Sequence, residues 1–384
     1  MLSMLVLAVF CTMAARALFS PLMPTLQLEL GFGLSTAGSL FLLVSVSYGV
    51  AMLLSGFLSS RIGHGMAIVA GLGSISIGLL TAAVAPNAWV LATAMILIGA
   101  GAGTYPPSGL VMINTFISPE RRNSAISVHE LGPNLALLVA PLLVIALEPW
   151  LGRRGMLFGS AAVCALAALA FRRWGVAGSG QGAAPKLSTI SEIFRLRTAI
   201  LAMVILSAAL SGVQGVYAIL PAYLVSEHDL SPGHVNLLLS LSRVAGILLL
   251  VRAGPIITRI GRRRTIAGIL LVSAVLTGLV GLVHGPLLSV VVVAQPALLT
   301  VLFPAVLSSI AVIGETRYQN VTYSLIITIA VAVGAGGAPA LLGVLGDLGI
   351  GWAGFVVLAL SMVTAVVFLR STPEFGRSVT FPQV

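Results

Sequence analysis

Apolar residues come in twelve runs of 18 to 30 residues, separated by short stretches that hold most of the charged side chains. The runs cover 2–25, 35–58, 66–85, 88–117, 123–146, 154–171, 198–223, 234–258, 265–284, 286–312, 321–345 and 352–370. About 20 helical residues cross the hydrocarbon of a bilayer, so each run predicts one membrane-spanning helix. Strands of a membrane barrel would alternate apolar and polar positions. These runs do not, and in lipid only helices or closed sheets satisfy the backbone.

The pattern also repeats. Gly56-Phe57-Leu58-Ser59-Ser60-Arg61-Ile62-Gly63 returns 198 residues later as Gly254-Pro255-Ile256-Ile257-Thr258-Arg259-Ile260-Gly261, each copy closing one apolar run before the next. Pro106 and Pro304 share that offset, and Met23-Pro24 returns one residue short of it as Leu220-Pro221. A fixed period of this kind marks a duplicated structural unit. The expected fold is therefore an all-α integral membrane protein, with twelve transmembrane helices in two six-helix repeats. Residues 1–173 form the first bundle, 174–197 a cytoplasmic linker rich in Gly and Ser, 198–371 the second bundle and 372–384 a cytoplasmic tail.

Composition narrows the class. With 58% hydrophobic and 8% charged residues and a mean hydropathy of +1.12, the chain is far too apolar for one soluble core. Its net charge of +10 would suit a nucleic-acid binder, but fifteen of the twenty basic residues fall in alternate loops and only Arg153 and Arg154 in the others. That asymmetry is a topology signal. It puts the arginine-rich face and both termini in the cytoplasm, as expected of a multi-pass protein of a cell (inner) membrane. The partners expected are the lipid bilayer and a small molecule, with no nucleic acid, and nothing demands more than a monomer.

Cys11 and Cys164 lie inside runs and pack as small hydrophobes, with no metal-ligand spacing, so neither a metal nor a cofactor is expected. The spans contain no paired carboxylates, no His-x-x-x-His and no Gly-x-Ser-x-Gly, which argues against an enzyme.

Twelve spans, a central linker and the loop motif between spans two and three together resemble the major facilitator superfamily, whose motif is G-x-L-x-D-R-x-G-R-[RK]. The first copy matches at Gly56, Leu58, Arg61 and Gly63 and departs at Ser60 and His64, where the family has an acid and a base. The second keeps Gly254, Arg259, Gly261, Arg262 and Arg263, with Thr258 at the acid position. The resemblance implies secondary transport by alternating access, with spans one, four, seven and ten lining a central cavity, and it makes these loops gating elements. Glu315 and Arg317, before span eleven, are expected to close the same gate. The antiporter signature of span five is degenerate here: Gly132, Ala136, Ala140 and Pro141 fit the register, and Val144 and Ile145 replace its last glycines.

Charges inside the spans are few, and each costs about 2.5 to 3.5 kcal/mol at mid-bilayer on insertion scales. Arg16 in span one and Arg243 in span eight both fall near the midplane, with no aspartate at that depth. Arginine grips a carboxylate or phosphate through two parallel hydrogen bonds, so two of them favour an anionic substrate. The expected anchor is Arg243, whose span-eight position resembles that of monocarboxylate transporters, with Arg16 as auxiliary; the other reading of each arginine is a tie between helices through backbone carbonyls freed near prolines. Gln214, Tyr217, Tyr105, Gln295 and Tyr48 are candidate orienting groups, or else helix-to-helix hydrogen bonds. Glu130, beside His129 in span five, is the candidate proton site. Its other reading is a fixed ion pair with Arg121, Arg122 or the repeat-loop arginines. The function expected is transport of a small organic anion, carboxylate-like and proton-coupled by symport; the alternative is efflux of drugs or toxic compounds by proton antiport.

Overall fold

The computed structural model describes residues 1–175, 191–302, 305–306 and 319–372. Among these, regular structure is entirely helical, and nine helices are long and apolar enough to cross a membrane. Two of the nine, Leu34–Val84 and Ser124–Trp174, run to 51 residues and are broken at Gly63 (φ 80°, ψ 160°) and Gly152 (φ 60°, ψ 174°). Each is a pair of crossings. With the shorter apolar helix Pro286–Thr300, the order of crossings is the one the twelve runs predict.

We number them α1 (Leu2–Leu30), α2 (34–62), α3 (64–84), α4 (Ala88–Phe116), α5 (124–151), α6 (153–174), α7 (Arg197–His228), α8 (Pro232–Ile260), α9 (Arg262–Leu282), α10 (Pro286–Thr300), α11 (Thr322–Asp347) and α12 (Gly351–Ser371). Pro304, Glu315, Arg317, most of the linker and the tail beyond 372 lie outside the described residues.

The last glycine of each repeated octapeptide does the same work. Gly63 and Gly261 both take a positive φ, 80° and 90°, where the chain leaves one crossing for the next. Any L side chain there meets its own carbonyl, so these positions are turns.

Two mid-helix segments are π-helical, Ser211–Val216 in α7 and Val331–Gly337 in α11. Their widened turns free backbone carbonyls, and such segments often mark functional sites. Both lie in the second half, packed against each other.

The halves meet through α2 on α11, α1 on α7 and α5 on α8. The α2–α11 approach depends on small residues: a Cβ at Gly38 would fall 2.2 Å from the Pro339 carbonyl oxygen. Buried residues of the first half form one core with the parts of the second half near the arginine-poor face, including Leu224, Leu239 and Phe355. The second half's arginine-rich portion, with Ala202, Leu270 and Ile326, keeps a separate core. The bundles are thus fused at the arginine-poor face.

Candidate functional site

Between the halves lies a cavity of about 50 Å³, lined by Arg16, Ser20, Ser45, Gln214, Tyr217 and Ala335 together with apolar neighbours. Pockets for small molecules usually run from about 300 to 1,000 Å³, so this one is collapsed and must widen to admit a ligand. Its walls come from α1, α2, α5, α7 and α11. Helices α4 and α10, which the family resemblance placed in the lining, contribute no described residue to it.

Arg16 stands over the Tyr48 ring at 4.6 Å and makes no hydrogen bond or ion pair with any described residue; its Nε is buried without a partner. Arg243 stands over the Tyr217 ring at 4.2 Å and donates from one terminal nitrogen to Val213 O at 2.9 Å, its Nε again unpartnered. Val213 lies in the π-helical segment, where the widened turn exposes that carbonyl.

The two arginine–tyrosine stacks are related across the halves with their order exchanged. In the first half arginine is on the first span and tyrosine on the second; in the second half tyrosine is on the first and arginine on the second. A cation–π contact contributes about 0.5 to 2 kcal/mol, less than the several kcal/mol that a buried ion loses in leaving water. Among the described residues no carboxylate pairs with either arginine. The cavity is therefore positive, and Arg16 has the freer donors.

The remaining orienting candidates divide. Gln214 and Tyr217 line the cavity, and Tyr217 also ties three helices: its hydroxyl donates to Leu137 O at 3.0 Å and its carbonyl accepts from Ser20 Oγ at 2.7 Å. Tyr48 backs Arg16. Gln295 is 1% exposed and donates to Thr277 Oγ1 at 3.0 Å and Gly212 O at 3.4 Å, bonds made wholly within the second half. It stands apart from the cavity, as does Tyr105.

Tyr105 of α4 donates its hydroxyl proton to Leu5 O at 2.8 Å and lies 2.7 Å from His129 Nε2, the rings stacked at 5.7 Å. His129 Nδ1 lies 3.2 Å from Glu130 Oε1. Helical geometry alone separates adjacent side chains by about 100°, but the rotatable Glu130 side chain bends back to the ring. In the described structure Glu130 pairs with His129 and with no arginine; Arg122 instead donates to Asn114 O at 3.0 Å. Asn134, on Glu130's helix face, bonds to its backbone carbonyl at 2.8 Å.

At the arginine-rich face the repeated motif faces its own half. Ser60 and Thr258, at the two acid positions, bond back to Phe57 O at 2.8 Å and Gly254 O at 3.0 Å in their own helices. His64 turns inward to Ser108 at 3.2 Å. Arg61 and Arg259 are exposed, Gly56 and Gly254 continue their helices, and Arg263 donates to Leu369 O and Arg370 O at 2.6 and 3.0 Å.

One functional group escaped the sequence reading. Asp347 ends α11, and its carboxylate accepts the Leu34 and Ser35 backbone N–H groups at 2.8 and 2.9 Å, capping α2 of the other half. A signal was present: an acid at a helix C-terminus opposes its own dipole, which suggests that it serves another element.

The chain matches the model of the Major Facilitator Superfamily over residues 5–312. It is 30% identical over 108 residues to a multidrug transporter of that superfamily, mfsC, from Aspergillus fumigatus; the match covers 28% of this chain and 21% of the relative. The chain thus spans about a fifth of the length of that curated relative. Among solved structures, a POT family transporter in complex with a thioalcohol-conjugated peptide superposes with a TM-score of 0.80 at 15% identity, covering 98% of this chain and 96% of the other. A bacterial homologue of the human lysosomal transporter Spinster, described as inward-facing and occupied, gives 0.70 at 15% identity, covering 97% and 95%. At such identity the likeness is one of fold.

Proposed function

The chain belongs to the major facilitator superfamily and is a membrane transporter, and we propose that it moves a small carboxylate-like anion by proton-coupled alternating access. The observation that carries this reading is the Arg16 guanidinium, which opens on the inter-half cavity with no hydrogen-bond partner among the described residues and no acid to neutralise it.

A carboxylate there would restore the hydrogen bonds that Arg16 lost in leaving water, through the fork that guanidinium offers two oxygens. Gln214 and the Tyr217 ring lie beside it to orient the rest of the molecule. Arg243 acts one layer further back: it sets the Tyr217 ring and adds positive potential while holding the π-helical turn through Val213 O. The sequence made Arg243 the anchor and Arg16 the auxiliary; the geometry favours the reverse.

With the arginine-rich face in the cytoplasm, an entering anion is opposed by about 2.3 kcal/mol per charge per 100 mV of inside-negative potential. Import therefore needs a co-entering cation or exchange for another anion. The His129–Glu130 pair, on α5 of the half that carries Arg16, suits the role of proton carrier.

Purified protein in liposomes tests the reading. Uptake of a radiolabelled monocarboxylate should rise when an inward proton gradient is imposed and disappear in Arg16→Gln. Transport of lipophilic cations alone, unaffected by that substitution, would point instead to the multidrug transport named for the Aspergillus relative.

A further inference from the structure

Tyr105 has one hydroxyl proton and two short contacts, 2.8 Å to Leu5 O and 2.7 Å to His129 Nε2. A carbonyl oxygen only accepts, so the proton goes to Leu5 O. Both contacts are hydrogen bonds only if His129 donates from Nε2 to the tyrosine oxygen. A neutral imidazole carrying its hydrogen on Nε2 has a bare lone pair on Nδ1, and that lone pair faces Glu130 Oε1 at 3.2 Å. Two acceptors at that distance repel. One further proton between Nδ1 and Oε1 turns the repulsion into a bond, whether written as imidazolium with carboxylate or as imidazole with carboxylic acid.

We propose that Tyr105 is the positioning residue of the proton site: by fixing the Nε2–H form of His129, it obliges the His129–Glu130 pair to bind one proton in this conformation. The proposal rests on the proton-coupled reading above and gives it a chemical mechanism. The proton comes from water and enters through Glu130, whose side chain is 61% exposed while that of His129 is 13% exposed.

Without the tyrosine hydroxyl, His129 is free to carry its hydrogen on Nδ1, donate it to an ionised Glu130, and release the extra proton. Tyr105 thus decides which nitrogen of His129 carries the hydrogen, and with it whether the pair must hold the extra proton.

Other groups around the pair fit this role. The Tyr48 hydroxyl of α2 and the Tyr323 hydroxyl of α11 lie within electrostatic reach of Glu130, as Tyr105 does. Arg16 of α1 is stacked on Tyr48. On α8, which packs along α5, Arg243 is engaged with Tyr217 and Val213, and Arg252 is exposed. On α5's own approach, Arg122 is bonded to Asn114 O and Arg121 is exposed. The tyrosines are neutral, so the charge at this site belongs to the pair.

The test is nitrogen-15 NMR of the full chain in detergent with imidazole-labelled histidine, the His129 signal being the one absent from His129→Gln. In the native protein the hydrogen should be found on Nε2. In Tyr105→Phe, which keeps the ring stack and loses only the hydroxyl, the neutral ring should appear with its hydrogen on Nδ1. An unchanged tautomer in Tyr105→Phe would overturn the proposal. If the tautomer shifts as expected while liposome uptake ignores the proton gradient, Tyr105 stands as the positioning residue and the coupled-transport reading falls.

Discussion

Asp347 caps a helix in the other half of the molecule: its carboxylate takes the Leu34 N–H at 2.8 Å, at the start of α2. The second N–H it takes, from Ser35, makes the contact a two-point clasp at the arginine-poor face. Hydrogen bonds to a charged acceptor contribute about 1.5 to 3 kcal/mol, enough to shift a two-state equilibrium about ten- to a hundredfold. Asp347→Asn should open that face. A cysteine placed at Ser20, which is buried against the Tyr217 carbonyl, should react with a membrane-impermeant thiol reagent at least tenfold faster in the Asp347→Asn background. Equal rates in both backgrounds would contradict the clasp.

Among the described residues, the motif loops at the opposite face have no counterpart to this clasp. Ser60 and Thr258 stand where the family has acids, and their hydroxyls bond to their own helices. An acid restored there, Ser60→Asp, gives the arginine-rich face a charged group with which to close. In that variant the Ser20 cysteine should become more reactive, in the same direction as in Asp347→Asn, and the two substitutions together should add. A Ser60→Asp protein with unchanged labelling would show that the acid alone does not rebuild the latch.

Arg16 and Arg243 should respond oppositely to neutralisation. Arg243→Gln breaks the bond to Val213 O and leaves a buried carbonyl in the π-helical turn, a cost of about 1 to 3 kcal/mol, so its melting temperature in detergent should fall. Arg16→Gln removes a charge that has no described hydrogen-bond partner, so its melting temperature should stay level or rise while anion uptake is lost. A large loss of stability in Arg16→Gln would mean that the residue is a structural tie.

The two glycines of the second motif copy should differ in sign. Gly261→Ala forces an L side chain into a positive φ and should lower unfolding stability by about 1 to 2 kcal/mol. Gly254 is helical, and a Cβ there meets nothing within 4 Å, so Gly254→Ala should be neutral or stabilising by up to about 1 kcal/mol. Denaturant midpoints in detergent check both.

Much of the architecture was legible because lipid leaves the chain few choices. Unbroken apolar runs must become helices, and the octapeptide repeat marked the turns at Gly63 and Gly261. The polar groups inside the spans were visible as residues and not as contacts. Gln295 reads in sequence like Gln214, yet the first is bonded to Thr277 and Gly212 and the second lines the cavity. The difference is the rotation of each helix about its axis, which packing against neighbours decides. The π-helical turns of α7 and α11 were equally unreadable, since one extra residue per turn leaves no composition signal. They shift the register of everything after them, and they expose the carbonyl that occupies Arg243.

The measurement that tests the anion site most directly is the thermal stability of the detergent-purified protein against a panel of mono- and dicarboxylates, phosphate esters and lipophilic cations. A ligand present at a hundred times its dissociation constant adds about 2.7 kcal/mol, a readily detected shift. The account predicts stabilisation by a carboxylate that vanishes in Arg16→Gln; stabilisation by lipophilic cations alone, retained in that variant, would contradict it.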